Sequence, residues 1–98
     1  MKPAAECQSL DEIRAEIDRI DQQIVGLLGR RAEYVHAAAR FKTSEAAVAA
    51  PDRQKTMFET RRAWAQEAGL SPDFIERLYR DIVAYFIQRE KEEWNRSR

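Results

Sequence analysis

From Leu10 onward, apolar side chains recur at alternating steps of three and four: Leu10, Ile13, Ile17, Ile20, Ile24 and Leu27, then, beyond a cation at Arg31, Tyr34, Ala38 and Phe41. That spacing is the seam of a coiled-coil-like helix. Ser9-Leu10-Asp11-Glu12 stands before it as a capping box, with Ser9 accepting from the backbone N–H of Glu12 and Glu12 reaching back to Ser9. The pattern predicts one helix of about 32 residues, nearly 50 Å long at about 1.5 Å per residue. A compact chain of 98 residues does not span that length, so the helix needs a second chain to cover it. Gly26 and Gly29 each cost about 1 kcal/mol relative to Ala inside a helix, and they weaken it locally or mark a close crossing.

The alanine-rich stretch 43–50 has no amphipathic period and ends at Pro51, so it reads as a loop. Pro51 suits the first position of a second helix, Asp52 suits the positive end of its dipole, and Gly69 suits the left-handed residue past its end. The second helix is expected over 51–68. Ser71-Pro72-Asp73 repeats the start signal, and a third helix is expected from there to about Asn95. Ile75, Leu78, Tyr79, Ile82, Tyr85, Phe86 and Trp94 share one face of it, with Glu90 in line between Phe86 and Trp94. The fold class is all-α, a three-helix chain in a single domain over 1–98.

Three polar groups interrupt these dry faces: Arg31, Lys42 and Glu90. Arg31 and Lys42 are eleven residues apart, about three helical turns, so both leave one continuous helix in nearly the same direction, about 16 Å apart. A small dianion fits between two such side chains, and an unpaired buried cation costs several kcal/mol. Arg53 adds a guanidinium at the start of the second helix, where backbone N–H groups favour anions. Arg14 lies about 25 Å from Arg31 along the axis, too far to share a small ligand within one helix. Two copies packed antiparallel bring them together. The bland alternative is that Arg31 snorkels along the seam or pairs with an acidic residue.

Composition narrows the partners. Seventeen basic and seventeen acidic residues cancel, leaving no overall field of the kind that draws a chain onto nucleic acid or an anionic membrane. There is no apolar run of signal-peptide or membrane-spanning length, and Cys7 is the only cysteine, which excludes an internal disulfide. A cytoplasmic protein is expected. His36 has no second ligand at metal spacing and reads as a structural or surface residue, so no metal site is expected. Trp64 and Trp94 read as packing, and Arg61-Arg62 and Lys91-Glu92-Glu93 as solvated faces. No phosphate loop or nucleophile set can be assembled. Cations, one carboxyl group and apolar walls suit a unimolecular rearrangement or elimination of a small dicarboxylate. A helical interaction module with the same charges as structural ions is the non-enzymatic alternative.

Ile13-Arg14, Ile17-Asp18-Arg19-Ile20-Asp21, Ile24, Leu27-Leu28, Arg30-Arg31, Lys42 and Pro51-Asp52-Arg53 resemble the all-helical chorismate mutase family along almost the whole chain. DEIRAEIDRID at 11–21, GRRAEYVHAAARFK, SEAA, WAQEAGL and the Ile87 to Trp94 segment are similar to the branch of that family that eliminates pyruvate from isochorismate to give salicylate.

The resemblance implies an intertwined homodimer with two equivalent sites and no cofactor. It implies carboxylate binding by Arg14 of the partner chain and by Arg31, with Arg53 assisting, and donation by Lys42 to the ether oxygen of the breaking C–O bond, with the loop after Lys42 as a lid. Chorismate mutases typically follow the Arg matching Arg53 with a Glu that binds the ring hydroxyl, whereas Gln54 stands here. Phe86, in place of a small polar residue, points toward the eliminating branch. Glu90 departs from that branch, which carries Gln there, while some chorismate mutases carry Glu. A Gln amide donates at any pH, but a carboxyl group donates only when protonated.

Overall fold

Ser9 accepts the backbone N–H of Glu12 at 3.1 Å, and the Glu12 carboxylate accepts the N–H of Gln8 at 2.7 Å. The capping box therefore forms one residue offset from the expected reciprocal bond to Ser9, with Lys2 adding an ion pair to Glu12 at 3.3 Å. The computed structural model describes residues 2–42, 44 and 50–96, and the loop expected over 43–50 lies, apart from Ser44 and Ala50, outside them. The described residues form two compact units, the first ending at Tyr34 and the second beginning at Val35.

The first unit carries a short 3-10 turn, Ala4–Glu6, and most of helix α1, Leu10–Ala38. No residue of α1 is buried. Leu10, Ile13, Ile17, Ile20, Ile24 and Leu27, the expected seam, are each between 40% and 57% exposed. A Cβ added at Gly26 or Gly29 meets nothing within 4 Å among the described residues.

The second unit holds the end of α1, a 3-10 turn at Ala39–Phe41, α2 (Pro51–Glu67) and α3 (Pro72–Arg96). The α-helical winding thus stops at Ala38 rather than continuing to Phe41. Pro51 opens α2 after Ala50, whose backbone is left-handed (φ 41°) and supplies no side-chain cap. At the other end Leu70 N–H donates to Ala65 O at 2.8 Å and Gly69 N–H to Gln66 O at 3.2 Å, with Gly69 at φ 76°. This is a Schellman stop, and it requires the glycine. Ser71 then caps α3 by accepting from Phe74 N–H at 3.2 Å.

The short connection turns α3 back antiparallel along α2. Arg62 of α2 bonds Asp73 and Glu76 near the turn, and Phe58 meets Arg80 one step farther. Met57, Phe58 and Val83 are buried together, with Tyr79 and Ile87 packed against them. Each such side chain contributes about 1.5–3 kcal/mol. Val83, absent from the expected apolar face, is buried, whereas Leu78 and Tyr85, included in it, are exposed.

The paired arginines are not simply solvated. Arg61 lies over Trp64 at 4.6 Å and Tyr79 at 5.5 Å. Arg62 donates to Asp73 at 2.8 Å and to Glu76 at 2.9 Å, while Arg80 donates to the other oxygen of Glu76. Hydrogen bonds from Arg80 first, and then Arg62, hold the Glu76 carboxyl below its ordinary 4.5. Bonds to Asp73 and then Glu76 raise Arg62.

Candidate active site

Lys42 follows the 3-10 turn with extended backbone (φ −97°, ψ 134°), its N–H donating to Ala39 O at 3.2 Å. The change of winding at Ala38 ends the uninterrupted α-helix on which the shared direction of Arg31 and Lys42 was reckoned. From this turn the Lys42 ammonium reaches α3, where Nζ lies 3.5 Å from Oε1 of Glu90.

Glu90 is 4% exposed, the buried charged residue among the described ones. Phe86, one turn earlier on α3, is buried as well and meets the edge of Tyr85 at 5.1 Å. The dry face inferred around Glu90 is therefore present. The Lys42 side chain is 23% exposed and that of Glu90 5% exposed, so water screens the pair only in part. At 3.5 Å the contact is a loose ion pair, and Oε1 of Glu90 accepts no hydrogen bond from the described residues. A buried carboxylate with an incompletely satisfied oxygen is costly, which leaves a place for a donor arriving from a ligand.

Three residues beyond Glu90, Glu93 meets Nδ1 of His36 from the last turn of α1 at 2.8 Å. Glu93 and Lys91 are half-buried rather than members of a solvated run, and only Glu92 of the three is exposed. His36 is exposed, as a surface residue, with Glu93 as its partner. The signal for this second contact was the three-residue step between Glu90 and Glu93, which puts both carboxylates on one face of α3.

Arg53 and Gln54 occupy the first turn of α2, Arg53 exposed and Gln54 half-buried with its N–H on Ala50 O at 3.0 Å. Gln54 lines a groove of about 360 Å³ with Phe58, Arg80, Val83, Ile87 and Lys91. Lys42, Phe86 and Glu90 do not line that groove. In the second unit Lys42 thus meets Glu90, with Phe86 one turn earlier on the same helix, while Gln54 lines a groove along α2 and α3. In the first unit Arg14 is exposed and Arg31 half-buried on α1.

Among the described residues no group of histidine, cysteine and carboxylate side chains could hold a metal ion, and no helix is long and apolar enough to cross a membrane.

Residues 13–91 match the chorismate mutase type II family. The chain belongs to that family. Across its full length it is 46% identical to the isochorismate pyruvate lyase of Pseudomonas aeruginosa, covering 97% of that protein. It is 34% identical over 77 residues to the T-protein of Haemophilus influenzae and 31% identical over 88 residues to the bifunctional chorismate mutase/prephenate dehydratase of Aquifex aeolicus. It spans only 20% and 24% of those two longer proteins. The all-helical structure, with no strand among the described residues, fits the type II fold.

Proposed function

We propose that this type II chorismate mutase relative is an isochorismate pyruvate lyase, converting isochorismate to salicylate and pyruvate. The likeness to the Pseudomonas lyase over nearly the whole of both chains supplies the substrate. The observation that carries the chemistry is Lys42 held against buried Glu90 beside Phe86.

In this reaction one hydrogen passes from the ring to the methylene carbon of the enolpyruvyl group as the ring C–O bond breaks. Pyruvate leaves and the ring becomes aromatic. Negative charge grows on the ether oxygen, and a donor placed there stabilises the transition state more than the substrate. Lys42 takes that role, and Glu90 assists when protonated. Phe86 gives an apolar wall that keeps water from the reacting atoms. Arg31 and Arg53, with Arg14 of a second copy, bind the two carboxylates, and Gln54 contacts the ring substituent.

The same reading makes the working unit a homodimer that acts as one domain. The exposed seam of α1 supports it, because six large aliphatic side chains at coiled-coil spacing otherwise stand in water. No membrane-spanning helix is found among the described residues, and the chain is read as cytoplasmic and free of cofactors.

Rearrangement of chorismate to prephenate is the second reading, as a side activity. It is favoured by the family and by a carboxyl group at Glu90. Incubating the purified protein with each substrate, and following salicylate fluorescence and prephenate formation, separates the two. Formation of neither product, together with no thermal stabilisation by a cyclic dicarboxylate, leaves the charges as structural ions, because only a binding site gains stability by linkage.

A further inference from the structure

The α-helical part of α1 ends at Ala38, and a single 3-10 turn separates it from Lys42. The aim of the Lys42 ammonium therefore depends on where the last turn of α1 sits against α3. His36 belongs to that last turn, and its Nδ1 lies 2.8 Å from the Glu93 carboxylate. Glu93 in turn stands one helical turn beyond Glu90. The two elements that carry Lys42 and Glu90 are thus joined twice, by a buried pair and by a solvated one.

From this geometry we propose that His36 and Glu93 are positioning residues, an outer clasp that fixes the end of α1 on α3 so that Lys42 meets the reacting oxygen. The proposal rests on the reading of Lys42 as the donor. Facing a carboxylate, which only accepts, Nδ1 is the nitrogen of the ring that carries the hydrogen and donates. Neither residue touches substrate. The clasp acts by limiting the drift of a donor whose misplacement by about 1 Å costs rate. With the imidazole side chain 69% exposed and Glu93 40% exposed, the pair is strongly screened, so the effect on rate is about two- to fivefold, as for other exposed pairs.

The test uses the full chain with His36→Ala, Glu93→Ala, the double variant, and His36→Lys, which restores a cation opposite Glu93. Amide hydrogen exchange over residues 35–42 and steady-state kinetics are measured for each. The clasp predicts faster exchange over those amides in both single variants. It also predicts kcat lowered about two- to fivefold with KM held, no further loss in the double variant, and recovery in His36→Lys. In a Lys42→Ala background, His36→Ala leaves kcat unchanged, because there is no donor left to position. Exchange unchanged in the single variants overturns the clasp, and a kcat loss that persists in full on Lys42→Ala overturns its role in positioning Lys42. If the wild-type chain turns over neither substrate, the functional reading falls, while the exchange data still decide whether the clasp exists.

Discussion

The ammonium of Lys42 stands 3.5 Å from Oε1 of Glu90, a carboxyl group only 4% exposed. Each group gives the other a reason to be where it is. A buried carboxylate needs a cation nearby, and a cation at the edge of an apolar wall needs a carboxylate until a dianionic substrate replaces it. The contact is also too long to be a strong hydrogen bond, so the cost of redirecting Lys42 toward a substrate oxygen is small.

If Lys42 donates to the breaking C–O bond, its loss removes a charge-assisted hydrogen bond to the transition state. Such a bond contributes roughly 1.5–3 kcal/mol, so Lys42→Ala lowers kcat by about 10- to 150-fold. The substitution also leaves Glu90 buried without its cation, and the melting temperature falls. Adding Glu90→Gln to Lys42→Ala recovers part of that fall, because a neutral amide needs no counter-ion. Salicylate formation and thermal unfolding measure the two effects, and turnover equal to wild type removes Lys42 from the mechanism.

In the proposed site Glu90 sets a carboxyl group beside a dianionic substrate, and such a group donates a hydrogen bond only in its protonated form. Glu90→Gln puts a neutral amide there, which donates without a proton to gain and does not repel the substrate. The variant is expected to bind isochorismate more tightly and to keep kcat within about tenfold of wild type, as one hydrogen bond exchanged for another allows. Steady-state salicylate formation measures both constants, and a collapse of kcat in the amide variant would show that the carboxyl group itself is required.

One pH effect lies away from the site and concerns stability. Arg80 and Arg62 hold Glu76 below its ordinary 4.5 in the folded chain. The unfolded chain takes up that proton first as the pH drops. The stabilisation from Glu76 is therefore complete above about 4.5 and is lost as the pH falls through the lower folded value. Glu76→Gln melts lower than wild type at neutral pH, and the difference narrows in acid. A constant difference at every pH would mean that the arginines do not act on the charge of Glu76.

Most of the helical frame was legible because its signals are local. Ser9 and Ser71 cap as their side-chain chemistry requires, Pro51 and Pro72 start helices, and Gly69 stops one in the left-handed conformation that it adopts without strain. Glu90 was legible as a carboxyl group on an apolar face. What stayed hidden depends on contacts between elements. The tightening of α1 into a 3-10 turn at Ala39 has no mark in the periodicity, since Ala38 and Phe41 continue the seam. Arg61, Arg62 and Glu93 read as surface charges until α2 and α3, or the end of α1, come alongside them. The burial of Val83 in place of Leu78 follows from which side of α3 meets α2, a choice that two adjacent apolar stripes on one helix leave open.

The exposed seam of α1 and the position of Arg14 lead to a test of subunit sharing. If two copies pair along Leu10, Ile13, Ile17, Ile20, Ile24 and Leu27, Ile17→Lys places a charge in that interface, and the chain sediments as a monomer with little activity. Arg14→Ala and Lys42→Ala each lose activity in both sites of their own homodimers. In a mixed dimer, however, one site takes Lys42 from the Arg14→Ala chain and Arg14 from the Lys42→Ala chain, and both groups there are native. The other site lacks both. Random reassortment makes about half the dimers mixed, each with one intact site of two, so mixing the inactive variants restores roughly a quarter of wild-type activity. If Arg14 serves the site of its own chain, every site in the mixture lacks a needed group and no activity returns. Native mass spectrometry, which resolves the mixed dimer from the two homodimers by mass, confirms that exchange of subunits has taken place, which makes the absence of recovery decisive against a site shared between two copies.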